Sequence, residues 1–122
     1  LTRGNVLVVD DEPGIRMVLT DLLEMEGYQV TACSDIDSAE AKLAEEGFDI
    51  ALVDVFLSAV SSGLDLVNRI LIEYPKTGVV IMTGYADRSE VEKACLAGAY
   101  TCIDKPFNLD DVMRIIETVL NK

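Results

Sequence analysis

Apolar positions follow two alternating rhythms along this chain. Short unbroken apolar runs, rich in Val and Ile, predict strands buried on both faces; longer stretches with apolar residues every three or four positions predict amphipathic helices. The strand pattern covers Asn5 to Val9, Tyr28 to Cys33, Phe48 to Asp54, Gly78 to Thr83 and Tyr100 to Asp104. Helical spacing fills the intervals. Pro13 opens a helix carrying Ile15, Val18, Leu19, Leu22 and Leu23, which Gly27 stops. Ser34 or Asp35 caps the next, with Ile36, Ala39, Leu43 and Ala44 as its apolar positions and Gly47 at its end. Leu64, Val67, Ile70 and Leu71 mark a third, which stops before Pro75. A weaker fourth runs from about Ser89 to Leu96 and closes at Gly98. Asn108 caps the last, whose Leu109, Val112, Met113, Ile116, Val119 and Leu120 form a stripe.

Five strands alternating strictly with five helices predict an α/β fold: a parallel sheet with helices on both faces, because right-handed crossovers leave little else. Length and alternation fit a flavodoxin-like doubly wound sheet of strand order 2-1-3-4-5 better than a closed barrel, which needs about eight strands. There are no repeats, linkers or low-complexity segments, so residues 1–122 read as one domain. The sequence begins with Leu1 and stops soon after its last helical pattern, which suggests a fragment of a longer polypeptide.

Charge narrows the function. The net charge is −12 with no histidine, a surface that repels phosphate backbones and argues against direct nucleic-acid binding. Clustered carboxylates are best tolerated around a divalent cation, although most of the Glu residues lie on helical stretches and read as a solvated surface. Cys33, Cys95 and Cys102 have neither zinc-ligand nor redox spacing; reduced thiols in a cytoplasmic protein are the simplest reading. No apolar run approaches the length of a membrane span.

The chemistry gathers at strand ends. The run Ala51 to Leu57 is interrupted by a single carboxylate, Asp54, which is costly unless it meets water, a metal or a cation. In a parallel sheet all C-terminal strand ends share one edge, so Asp10, Asp11, Asp54, Thr83 and Lys105 converge there. Three crowded carboxylates suit a hard cation, and Mg²⁺ pairs with few protein ligands and with phosphate oxygens. An aspartate beside a metal, a lysine and a hydroxyl is a nucleophile prepared for phosphoryl transfer. Taken singly, the Asp pair would cap a helix, Thr83 would be a turn hydroxyl and Lys105 a surface cation. Their joint occurrence at successive strand ends favours the site.

Over essentially its whole length the sequence resembles the receiver domain of two-component response regulators (the CheY-like fold). The resemblance rests on Val8-Val9-Asp10-Asp11-Glu12, Ala51-Leu52-Val53-Asp54, Ile81-Met82-Thr83-Gly84 and Lys105-Pro106-Phe107. It implies that Asp54 accepts a phosphoryl group from a phosphohistidine on a sensor histidine kinase or phosphotransfer protein. It also implies that Asp11, Asp54 and the backbone carbonyl of Phe56 ligate Mg²⁺, with Asp10 acting through water, and that Lys105 and Thr83 contact phosphoryl oxygens. The Lys105–Pro106 bond is expected to be cis. The surface of the fourth helix, fifth strand and fifth helix would then switch, meeting an output domain or a second receiver.

Two departures stand out. The loop from Ser58 to Gly63 lacks the family's proline and is one residue longer than usual; it reads as a tolerated change, with Gly63 supplying a permissive backbone. Cys102 occupies the position of the family's switch aromatic, which predicts altered or weakened coupling between Thr83 and the output surface; Tyr100, two residues earlier on the same side of the strand, is the alternative ring but reads first as a packed strand residue. The alternative function is a phosphorylation-independent pseudo-receiver, supported only by these departures. An aspartate-nucleophile phosphatase is disfavoured because Phe56 stands where its general acid belongs. A nucleotide-binding domain is disfavoured because the first strand–helix turn has no Gly-rich loop.

Phe56 and Tyr85 flank the expected pocket and would exclude hydrolytic water, predicting a long-lived phosphorylated state. A Phe56→Asn, Tyr85→Glu double variant is expected to lose phosphate faster in a timed dephosphorylation assay; equal rates refute the reading.

Overall fold

The computed structural model describes residues 2–55, 63–84 and 88–121. Ten elements alternate as the apolar rhythm predicts: β1 (Asn5–Val9), α1 (Pro13–Met25), β2 (Gln29–Cys33), α2 (Ile36–Glu45), β3 (Ile50–Asp54), α3 (Gly63–Glu73), β4 (Gly78–Thr83), α4 (Arg88–Ala97), β5 (Thr101–Asp104) and α5 (Leu109–Leu120). The five strands form one parallel sheet in the order β2-β1-β3-β4-β5. This is the flavodoxin-like α/β architecture expected from the sequence.

Strand alternation divides the core in two. Val6, Val8, Ile50, Leu52, Val80, Met82 and Ile103 pack with Leu19 and Leu23 of α1 and Val112 and Ile116 of α5. Leu7, Val9, Ala51, Val53, Val79 and Ile81 project the other way, onto Ala39 and Leu43 of α2 and Leu66, Val67 and Ile70 of α3. Each such side chain gains roughly 1.5–3 kcal/mol from burial, so two covered faces explain the unbroken apolar runs. All five residues of β3 are buried because it sits in the middle.

Boundaries shift by a residue or two where ladder pairing stops. Tyr28, Phe48 and Tyr100 lie just outside β2, β3 and β5; Tyr28 and Phe48 are buried nonetheless. Asp35 rather than Ser34 caps α2, its Oδ1 accepting from Ser38 N at 2.7 Å. Asn108 caps α5, with Oδ1 accepting from Asp110 N at 2.8 Å. Four helical positions differ from expectation. Val18, Ala44 and Leu109, expected on apolar stripes, are exposed, while Leu66 is buried. A 3.6-residue period locates a stripe but not its width, which depends on where the sheet lies beneath the helix.

Gly63 works differently from the sequence expectation. The left-handed glycines among the described residues are Gly4, Gly27 and Gly98. A Cβ on Gly63 would instead run into the backbone carbonyl of Asp54 and the Cα of Val55. The glycine permits α3 to begin against the end of β3, and Gly63 N donates to Val55 O at 3.1 Å. Gly63→Ala is therefore expected to destabilise the protein by roughly 1–3 kcal/mol or more, through overpacking against backbone. Urea denaturation checks this, and an unchanged midpoint contradicts it.

Candidate phosphoacceptor site

The site is built where β1, β3 and β4 end and the chain leaves the sheet. Asp10 directly follows β1 and is held from several sides. Its N–H donates to Cys33 O at 3.1 Å, and its Oδ1 accepts from Glu12 N at 2.9 Å. Its carbonyl accepts from Arg16 Nη1 at 2.8 Å. Asp54 closes β3, and Val55 N donates to Met82 O at 3.1 Å, which fixes the strand end against β4. Asp10 is fully buried and Asp54 is 3% exposed.

Two buried carboxylates at one sheet edge demand a cation, and Lys105 supplies it. Its Nζ lies 2.7 Å from Asp10 Oδ2, 3.2 Å from Asp54 Oδ2 and 3.3 Å from Glu12 Oε1. Burial disfavours the ammonium charge, but the adjoining Asp10 and Asp54 carboxylates outweigh it and hold Lys105 above the ordinary lysine range. Lys105 is positioned from behind: its N–H donates to Thr83 O at 2.7 Å, and the Lys105–Pro106 bond is cis, as the resemblance implies.

The Lys105–Asp10 contact is the shortest of the three, an ion pair at 2.7 Å. Asp10 Oδ2 is the one buried side-chain oxygen among the described residues that lacks a hydrogen-bond partner. An under-coordinated carboxylate oxygen beside further carboxylates is what a divalent cation completes. Asp10, Asp11 and Glu12 each offer an oxygen within 4.8 Å of the others, so this acidic cluster can hold such an ion.

The geometry thus joins Asp10, Asp54 and Lys105 directly, with Asp11 beside Asp10. Thr83 is buried at the end of β4 and tied to Lys105 through the backbone. Asp54 is not part of the acidic trio; it is held on Lys105 instead. Phe56, the Ser58–Ser62 part of the altered loop and Tyr85 lie outside the described residues. Sequence reasoning gave no role to Glu12, although it adjoins the acidic pair, or to Arg16. Strand alternation explains who meets whom: Asp10, Asp54 and Lys105 continue the face of Val8, Leu52 and Ile103, the side covered by α1 and α5.

A sequence profile of the response regulator receiver domain matches residues 6–117. The nitrogen assimilation regulatory protein NtrX of Azorhizobium caulinodans is 35% identical over 95% of this chain and 26% of its own length. The chain spans about a quarter of that and other curated regulators it matches. A CheY-like receiver domain protein from Methanospirillum hungatei superposes with a TM-score of 0.91 at 31% identity, covering 96% of this chain and 93% of that one. A Burkholderia pseudomallei response regulator, solved with a phosphorylated aspartic acid, a calcium ion and citrate, gives 0.85 at 29% identity, covering 96% and 68%.

Replacing Lys105 by Met leaves Asp10 and Asp54 buried without their cation. The expected loss is about 3 kcal/mol, the low end for a broken buried pair because Lys105 keeps some solvent contact. Because the folded lysine titrates above its unfolded value, its contribution is complete below that value and lost as pH rises through the folded one. Urea titrations of both proteins should show a gap at neutral pH that closes only under strongly alkaline conditions. A gap absent at neutral pH contradicts the assignment.

Proposed function

The chain belongs to the response regulator receiver domain family, and from that premise we propose that Asp54 is its phosphoacceptor, served by Lys105, Thr83 and a Mg²⁺ site at Asp10, Asp11, Asp54 and the Phe56 carbonyl. It is a signalling module of two-component systems rather than an enzyme that turns over an external metabolite. The observation that carries the assignment is the Lys105 ammonium shared between Asp10 and Asp54. A carboxylate paired in this way is held in place at the strand end, facing the cation that would meet an incoming anion.

In the proposed reaction one carboxylate oxygen of Asp54 attacks the phosphorus of a phosphohistidine on a sensor histidine kinase or phosphotransfer protein. The phosphorus–nitrogen bond breaks, the imidazole leaves, and an acyl phosphate forms on Asp54. Lys105 follows the charge, exchanging part of its contact with Asp54 for a new phosphoryl oxygen. The Thr83 hydroxyl donates to another. Asp10, Asp11, Asp54 and the Phe56 carbonyl would hold the Mg²⁺, which would supply positive charge against the phosphoryl oxygens and the crowded carboxylates. The Asp10–Asp11–Glu12 cluster supports a cation there, as does the presence of both a calcium ion and a phosphorylated aspartic acid in the Burkholderia relative.

The output step is proposed to use α4, β5 and α5 with an output domain or a second receiver. Cys102 is half-buried on β5, packed against the Ile81 face, and Tyr100 lies just before the strand, 36% exposed. A thiol cannot swing inward behind Thr83 as a ring does, so the coupling is weakened here. A cytoplasmic location is proposed for the domain, supported by the free thiols Cys33, Cys95 and Cys102, which persist in a reducing compartment; no helix among the described residues is long and apolar enough to cross a membrane.

Incubation with Mg²⁺ and acetyl phosphate is expected to add one phosphoryl group by intact mass, in wild type and not in Asp54→Asn. No adduct in wild type, or one that survives the substitution, favours the pseudo-receiver reading instead.

A further inference from the structure

We infer that Arg16 is a positioning residue for the cation site, a role that rests on the Mg²⁺ reading above. It sits at the end of the first turn of α1, where the helix dipole disfavours positive charge. That turn has no acidic residue, and its N-cap, Glu12, makes no side-chain cap. The helix alone gives an arginine no reason to be there. Its guanidinium turns back out of the helix, and Nη1 donates to the carbonyl of Asp10 at 2.8 Å.

Three hydrogen bonds then close a loop around the acidic turn. Arg16 Nη1 holds Asp10 O, Arg16 N donates to Glu12 O at 3.2 Å, and Glu12 N donates to Asp10 Oδ1 at 2.9 Å. The peptide plane between Asp10 and Asp11 is fixed by the first of these, and with it the direction in which Asp11 leaves the chain. Asp10 Oδ1 is occupied by the third. Oδ2 is left facing the Lys105 ammonium alone, at 2.7 Å. Arg16 thereby orders the residues that would hold the ion without touching it.

Charge and position predict opposite signs for its removal. An arginine acting only as a nearby positive charge weakens cation binding, so losing it would tighten Mg²⁺. An arginine that orders Asp10 and Asp11 strengthens binding, so losing it weakens Mg²⁺. Loss of an outer hydrogen-bond partner of a metal site costs about tenfold or more in affinity.

The test is titration of the whole 122-residue chain with MgCl₂, followed by the amide resonances of Asp11 and Glu12 and without any phosphodonor. Arg16→Gln is expected to bind Mg²⁺ about tenfold more weakly than wild type. Arg16→Lys, which keeps the charge but not the planar fork, is expected to fall between them. Arg69→Gln, which breaks only surface pairs with Glu40 and Glu73, is expected to match wild type. Equal or tighter binding by Arg16→Gln overturns the inference while leaving the phosphoacceptor reading intact. If Arg16→Gln does not fold, Arg16→Lys decides: weaker binding supports the role and unchanged binding overturns it. A wild type that binds no Mg²⁺ overturns both readings.

Discussion

One ammonium group reconciles the acidic edge of this protein with its apolar core. Asp10 and Asp54 terminate strands whose other residues are buried, and both carboxylates are withdrawn from water. Left unpaired they would oppose folding, because an ionised carboxylate loses far more hydration than it recovers from neutral neighbours. Lys105 arrives from β5 on the far side of β4 and answers both. The same ammonium spans both strand ends, so the β1 and β3 carboxylates are tied together through β5.

The sheet provides the rest of the positioning. Parallel strands put every C-terminal end at one edge, and the order β2-β1-β3-β4-β5 brings β1 beside β3. Alternation then selects the face: Asp10, Asp54 and Lys105 all continue the side under α1 and α5. That is why Arg16 of α1 can reach back to Asp10, and why the acidic turn is ordered by the helix that follows it. On the opposite face Gly63 lets α3 start against the Asp54 backbone, where any side chain would collide. Asp54 is confined from both sides of the sheet by the helices flanking its strand ends.

The output side is built less conventionally. Cys102 fills a half-buried place on β5 with a small apolar thiol, packing against the Ile81 face without an aromatic ring to relocate. The strand beside Thr83 therefore carries a small thiol, and the ring of Tyr100, 36% exposed, lies just before it.

Fold class and strand ends were legible in the sequence because both depend on local pattern. Unbroken apolar runs such as Ile50 to Val53 can only be buried strands, and Asp54 stood out as the charge at the end of one. Asp10, Asp11, Thr83 and Lys105 followed from the convergence of parallel strands. Helix faces were less legible: Val18 and Ala44 fit a helical period but meet no sheet, and Leu66 breaks the simplest stripe yet is buried. Three features were decided only in three dimensions. Gly63 is required by a collision with a carbonyl, Glu12 joins the Lys105 ion pairs, and Arg16 folds back on Asp10. Spacing along a chain encodes which elements form and which ends they share. Which side chain reaches which oxygen depends on packing between elements, and that is fixed only when the sheet and helices come together.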